Sequence, residues 1–256
     1  MFSWNTPGAP LVVVAHRGAS AHAPENTLAS FRRAVKDGAD AVELDVRLTA
    51  DGAVVVIHDA SLRRTANQRR RVDASTLAEV QALDAGGWFD ARHAGEHIPT
   101  LSEVFGVVPT TKGINVELKG DRSGSRGAEL VKRTCQIILR SHRAESVLVT
   151  SFHHALIALV KKHFPIIPAG ILLHPFQQSA RSPVRLARSI GAEYIVFGSR
   201  TLTKRLTEQA HREGLRVAEY TVNTEHRLMR AKRYGVDAII TNQPGAMKRR
   251  SGYGVV

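Results

Sequence analysis

The chain has 256 residues, is 43% hydrophobic and 23% charged, and carries a formal charge of +13 and one cysteine. That length suffices for one large α/β core; no apolar run is long enough to cross a bilayer, Cys135 alone excludes an internal disulfide, and the first ten residues lack the pattern of a signal peptide, so a cytoplasmic protein is expected. The positive charge favours anionic partners, phosphate esters included, without selecting one.

Short runs at 11–16, 41–46, 54–58, 114–119, 147–152, 169–173, 194–198, 216–222 and 237–241 are predicted as strands. Several are apolar throughout, as parallel strands covered by helices are. Amphipathic stretches at 26–36, 128–140, 154–163 and 202–213 predict helices between them. Strand alternating with helix over the whole chain points to a parallel α/β fold. The nine runs are one more than a (β/α)₈ barrel needs. Asp51-Gly52 resolves the surplus, because Asp-Gly between strand runs signals a hairpin. The run at 54–58 then folds back on 41–46 as an extra strand, and a TIM barrel remains. A doubly wound open sheet fits less well, since no Gly-rich phosphate loop follows the first run. Residues 60–99 are polar and Arg-rich with one helical stretch at 75–83, and they read as an excursion over the barrel mouth within a single domain spanning 1–256.

Barrel enzymes carry their chemistry at the C-terminal ends of the strands. Here those ends read His16-Arg17-Gly18, Glu43-Leu44-Asp45, His58-Asp59 and Glu117-Leu118-Lys119. Ionisable groups that end apolar runs are poor packing material. Residues two apart on a strand share a face, so Glu43 points with Asp45 and Glu117 with Lys119. A two-residue turn at Asp51-Gly52 sets His58 opposite Asp45 or its immediate neighbour. Carboxylates crowded together repel one another unless a cation intervenes. All-oxygen ligation favours Mg²⁺ or Ca²⁺; the alternative is pairing of the acids with Arg17 and Lys119 without a metal. His16 and His58, each beside the carboxylates, read as a general acid and a general base. Phe152 ends its strand facing the mouth and reads as pocket wall.

These motifs, with Pro24-Glu25-Asn26-Thr27, Ile98-Pro99-Thr100-Leu101, Ser151-Phe152, Tyr220-Thr221-Val222-Asn223 and 235–241, occur in an order that resembles the glycerophosphodiester phosphodiesterases along nearly the whole chain. The resemblance implies hydrolysis of glycerophosphodiesters to an alcohol and glycerol 3-phosphate. It implies Glu43, Asp45 and Glu117 as ligands of one divalent cation, His16 and His58 as the acid–base pair, and Arg17 and Lys119 as phosphate contacts. Family members commonly carry Trp where Tyr220 stands, Asp where Asn242 stands, and Leu-Asp-Arg-Thr where this chain reads Leu62-Arg63-Arg64-Thr65. None of these replaces a ligand or histidine, but they bear on the leaving-group side of the pocket, where Tyr220 is expected. A small phosphodiester is the expected partner. Aromatics at 5% give no platform for specific nucleic-acid binding, whereas Arg63, Arg64, Arg69, Arg70 and Arg71 allow a weak contact with an anionic membrane surface. A lysolipid-directed phosphodiesterase and a catalytically silent phosphate- or nucleic-acid-binding module are the competing readings. The oligomeric state is left open.

Overall fold

The computed structural model describes residues 1–6, 8, 10–120, 124–174 and 182–252. The strands are β1 (Val12–Ala15), β2 (Ala41–Leu48), β3 (Val54–Val56), β4 (Gly113–Leu118), β5 (Val147–Ser151), β6 (Ala169–Leu172), β7 (Tyr194–Gly198), β8 (Arg216–Tyr220) and β9 (Ala238–Thr241). All pair in parallel except β3, and the β1–β2 pairing closes the other eight into a barrel. The (β/α)₈ architecture with one added antiparallel strand is therefore present. Several expected runs overshoot by a residue or two: His16, Lys119 and Phe152 lie just beyond their strands, in the connections at the C-terminal rim.

Register sorts the side chains. Ala41, Glu43 and Asp45 are level with Gly113, Asn115 and Glu117, so one face of β2 and β4 turns from small to polar on the way up the barrel. The alternate residues Val42, Leu44, Val46, Ile114, Val116 and Leu118 join the apolar layer beneath the helices. The lower interior is closed by the N-terminal segment: Trp4 Nε1 donates to Ser146 O at 2.9 Å, and Tyr194 OH donates to Trp4 O at 2.7 Å.

At the opposite rim from the site, three helix-to-strand connections repeat one design. Gly38-Ala39-Asp40, Gly191-Ala192-Glu193 and Gly235-Val236-Asp237 each begin with a glycine at φ 83°, 78° and 72°, the left-handed geometry that ends a helix. The apolar residue after it donates back to the helix (Ala34 O, Ala187 O, Ala231 O) and is buried. The acid then accepts a strand N–H from β1, β6 or β8: Val13 N at 2.9 Å, Ala169 N at 2.9 Å and Val217 N at 2.7 Å. A cation balances each one, Lys248 for Asp40, Lys161 for Glu193, and Arg216 for Asp237.

The Asp51-Gly52 hairpin differs in one detail from the sequence expectation. Thr49 N donates to Ala53 O at 3.0 Å, so the loop is Ala50-Asp51-Gly52, three residues with Gly52 at φ 81°, rather than two. This register pairs Val46 with Val56 and by continuation sets His58 level with Leu44, the neighbour of Asp45. The 60–99 segment packs around its own small core of Leu62, Ala66, Val72, Val80, Ala85 and Ile98 on the outer face of Val55 and Ile57. Its central helix is Leu77–Gln81, shorter than the expected 75–83 and started by Thr76 in a capping box with Glu79.

The rim acids yield a stability prediction. Asp40→Ala strands the Val13 N–H and leaves Lys248 without its carboxylate, which should cost about 1–3 kcal/mol. A shifted midpoint in urea unfolding checks this, and an unchanged midpoint would remove Asp40 from the account.

Candidate active site

Sharp turns after β1 build the first wall. Arg17 and Asn26 take φ values of 55° and 58°, and Gly18 takes 81°. A Cβ on Gly18 would meet Ser30 Oγ at 2.3 Å, so the turn presses against the helix Leu28–Lys36 and admits only glycine there. This backbone turns Arg17 N toward Glu43 Oε2, 2.8 Å away. Asn26 is clamped to Asp45 in both directions: its Nδ2 donates to Oδ2 at 2.8 Å, and its Oδ1 accepts from Asp45 N at 3.3 Å.

Glu43, Asp45 and Glu117 are all buried, and each offers an oxygen within 4.8 Å of the others'. Arg17 Nε lies 3.3 Å from Asp45 Oδ2, and Lys119 Nζ lies 3.2 Å from Asp45 Oδ1 and in contact with Glu117. The charges do not settle evenly. Burial opposes ionisation of Asp45, but Lys119 and Arg17 outweigh it and hold its carboxyl below the usual range. Burial, reinforced by Asp45 and Glu117, pushes Glu43 well up. Burial likewise pushes Glu117 to about 7 against the pull of Lys119. Asp45 Oδ1 and Glu117 Oε1 accept no well-formed hydrogen bond although Lys119 stands beside both.

Both histidines face this cluster. His16 Nδ1 is 2.7 Å from Asn242 Oδ1, and its Nε2 is 4.0 Å from Glu43 Oε2. Burial first, then Arg17, lowers its pKa to about 4. His58 Nδ1 is 2.7 Å from Asp59 Oδ1, and burial lowers its pKa as well. The regular β2–β3 pairing stops at Val56, although Ile57 N still donates to Asp45 O at 2.8 Å. Beyond that point His58 is released from strand alternation and reaches the cleft.

The cleft has a volume of about 290 Å³ and is lined by His16, Arg17, Glu43, His58, Glu117 and Lys119 on its polar side. Phe152, Leu172, Tyr220 and Ile240 line the apolar side, and His174 and Thr221 also border it. Phe152 stands edge-on to Tyr220 with centroids 6.1 Å apart and has Lys119 Nζ 5.7 Å from its ring centre. Tyr220 OH donates to Leu173 O at 2.9 Å. Eight of the nine residues singled out from the sequence thus border this one cleft, and Asp45 lies beneath it between Arg17 and Lys119. Sequence reasoning assigned no role to Asn26, Glu25 and Asp59, read Arg64 only as a membrane contact, and noted Asn242 only as a departure from the family pattern. Asn26, Glu25 and Asp59 lie inside quoted motifs, but nothing in spacing tells which partner any of the five meets.

The donor set suits a hard divalent cation: carboxylate oxygens only, buried, two of them poorly satisfied. With every carboxyl counted as ionised, Glu25, Glu43, Asp45, Asp59 and Glu117 face Arg17, Arg64 and Lys119, two acids more than cations, in keeping with the upward shifts of Glu43 and Glu117. Of the arginines proposed for membrane contact, Arg64 pairs with Glu25 and Asp59, Arg70 with Glu79 and Arg71 with Asp73. No helix among the described residues is long and apolar enough to cross a membrane.

Residues 16–246 match the model of the glycerophosphoryl diester phosphodiesterase family. A glycerophosphodiester phosphodiesterase of Caldanaerobacter subterraneus is 37% identical over 91% of this chain and 94% of its own length. One of Bacillus altitudinis is 33% identical over 91% and 94%. An Oleispira antarctica phosphodiesterase solved with the product sn-glycerol-3-phosphate superimposes with a TM-score of 0.86 at 28% identity, covering 93% of this chain and 96% of that one.

The Asn26–Asp45 clamp can be tested without backbone strain, since glycine tolerates φ 58°. Asn26→Gly should lower stability by about 1–3 kcal/mol through the donor lost to a buried carboxylate. Chemical unfolding followed by circular dichroism measures it, and a cost near that of an exposed glycine substitution would refute the clamp.

Proposed function

The chain belongs to the glycerophosphoryl diester phosphodiesterase family, and from that membership we propose that it hydrolyses glycerophosphodiesters, glycerophosphocholine and glycerophosphoethanolamine among them, to an alcohol and glycerol 3-phosphate, with His16 and His58 as the acid–base pair. The observation that carries this reading is the meeting of two imidazoles, each with a partner on Nδ1, over a buried carboxylate cluster short of positive charge. The sn-glycerol-3-phosphate named with the Oleispira protein is the product this reaction releases.

Glu43, Asp45 and Glu117 would hold one divalent cation, Mg²⁺ or Ca²⁺, which supplies electrostatic stabilisation of the charge that builds on the phosphoryl oxygens. The remaining work falls to side chains of the chain itself. Arg17 and Lys119 border the cleft and would hold the non-bridging oxygens of the diester, opposing charge with charge where water is partly excluded. Phe152 and Tyr220 give the apolar flank against which the carbon skeleton lies. One imidazole, bare at Nε2, accepts the proton of the attacking water, while the other, first protonated at Nε2 from solvent, donates that proton to the departing alkoxide. Water, or the neighbouring glycerol hydroxyl through a cyclic phosphate that water then opens, adds to phosphorus as the P–O bond to the alcohol breaks.

A partner on Nδ1 turns Nε2 of each ring toward the cleft, the arrangement an acid–base residue needs. The cleft is at the small end of the range for ligand sites, roughly 300–1,000 Å³, which favours a small diester over one bearing an acyl chain.

Metal-stripped protein should release glycerol 3-phosphate from glycerophosphocholine only after Mg²⁺ or Ca²⁺ is restored, and Glu43→Ala should abolish that release. His16→Ala and His58→Ala should each lower kcat by about 10²–10⁴-fold. Near-normal turnover in both histidine variants would overturn the acid–base assignment. Absence of release with either metal would move the reading to a lysolipid substrate, and absence with that substrate too would move it to a silent binding module.

A further inference from the structure

His58 is oriented by a carboxylate, and a carboxylate only accepts. The 2.7 Å contact with Asp59 Oδ1 therefore puts the ring proton on Nδ1 and leaves Nε2 bare toward the cleft. Asp59 is itself 30% exposed and follows His58 directly in the chain, so on its own it has freedom to swing into water. What restrains it comes from the 60–99 segment. Arg64 Nε donates to Asp59 Oδ2 at 2.7 Å, and its two terminal nitrogens fork onto Glu25 Oε2 and Oε1 at 2.8 Å each. Glu25 Oε1 also accepts from the Arg17 terminal nitrogen at 2.9 Å.

We infer that Arg64 and Glu25 are positioning residues for the reaction. They lock Asp59 so that His58 stays in its Nδ1–H form with Nε2 aimed at the cleft, and they tie that orientation to Arg17. The inference rests on the reading of His58 as an acid–base residue. Arg64 lies outside the lining of the cleft and acts through others. An exposed ion pair ordinarily adds little to stability, but a bidentate guanidinium–carboxylate fork fixes direction. Arginine suits the place because its planar fork satisfies two carboxylates at once, while a lysine ammonium is a point charge. Asp59 is kept ionised, since the Arg64 hydrogen bond carries its carboxyl down to about 2. The 60–99 segment thereby contributes to the site without supplying a group that touches substrate.

The test uses full-length protein with its divalent cation and compares Arg64→Met, Arg64→Lys and Glu25→Gln with the parent. Turnover of glycerophosphocholine should fall about 10–100-fold in kcat in the Met and Lys variants. KM should stay within about twofold, since neither side chain contacts substrate. Long-range ¹H–¹⁵N spectra of the His58 ring should show the Nδ1–H tautomer in the parent and a mixture of tautomers in the variants. Full restoration by Lys would overturn the role of the fork. Loss of kcat with His58 still wholly in the Nδ1–H form would overturn the inference too, leaving Arg64 a tether for the segment. If Arg64→Met does not fold, Glu25→Gln, nearly isosteric, gives the same pair of readings. If even the parent releases no glycerol 3-phosphate, the activity reading fails, and the spectra still decide the positioning role.

Discussion

Three carboxylates within 4.8 Å of one another in the upper barrel are the constraint on which the surrounding structure depends. Charge removed from water is costly unless matched by nearby groups. The matching is visible in each element that touches the cluster. The turn after β1 accepts left-handed backbone at Arg17 and Asn26, and in return a main-chain N–H reaches Glu43 and a side-chain amide reaches Asp45. Lys119 sits just past β4, level with the opening, where its ammonium lies beside Asp45 and Glu117 at once. Even so the matching is incomplete, which is why burial raises Glu43 and Glu117 while Asp45, flanked by both Arg17 and Lys119, stays ionised.

The added hairpin strand solves a topological problem. A (β/α)₈ barrel delivers side chains to its mouth from strand ends and the loops after them. The polypeptide after β2 instead turns through Ala50-Asp51-Gly52 and comes back, so that His58 arrives from above rather than from a barrel strand. With strict pairing continued, His58 would share the face of Leu44, which is packed in the outer apolar layer. Ending the ladder at Val56 is therefore what makes the histidine available. The 60–99 segment backs the outer side of this strand with its own apolar cluster, giving Ile57 and Val55 somewhere to pack while the next residue turns inward.

The barrel and most of the site were legible because two signals coincided in the chain. Apolar runs of strand length marked the frame, and ionisable residues at their ends marked the functional rim, so Glu43, Asp45, Glu117, Arg17, Lys119, His16 and Phe152 needed only the parity rule and the position of a strand end. What escaped lay in turn geometry and in pairing across long separations. The hairpin register turned on a loop of three residues instead of two, a distinction that Asp-Gly does not encode. The roles of Arg64 and Asn242 depend on residues 39 and 226 positions away, which periodicity cannot reach. The repeated Gly-Ala/Val-Asp/Glu connections escaped for another reason: three residues recurring at irregular intervals do not register as a repeat until the strand N–H that each acid accepts is seen.

Those connections sharpen the meaning of the upper cluster. The two rims of the barrel both present carboxylates to parallel strands, yet they treat them oppositely. At the lower rim Asp40, Glu193 and Asp237 each accept a strand N–H and each have a cation within reach. Those acids are spaced apart and partly solvated. At the upper rim the acids crowd together, the cations are fewer, and two buried oxygens stay poorly satisfied. Carboxylates under one fold thus yield structural caps where each charge has its own cation, and a crowded cluster where charges must share. The difference lies in local stoichiometry: the lower rim is matched charge for charge, whereas the upper rim gathers more carboxylates than cations.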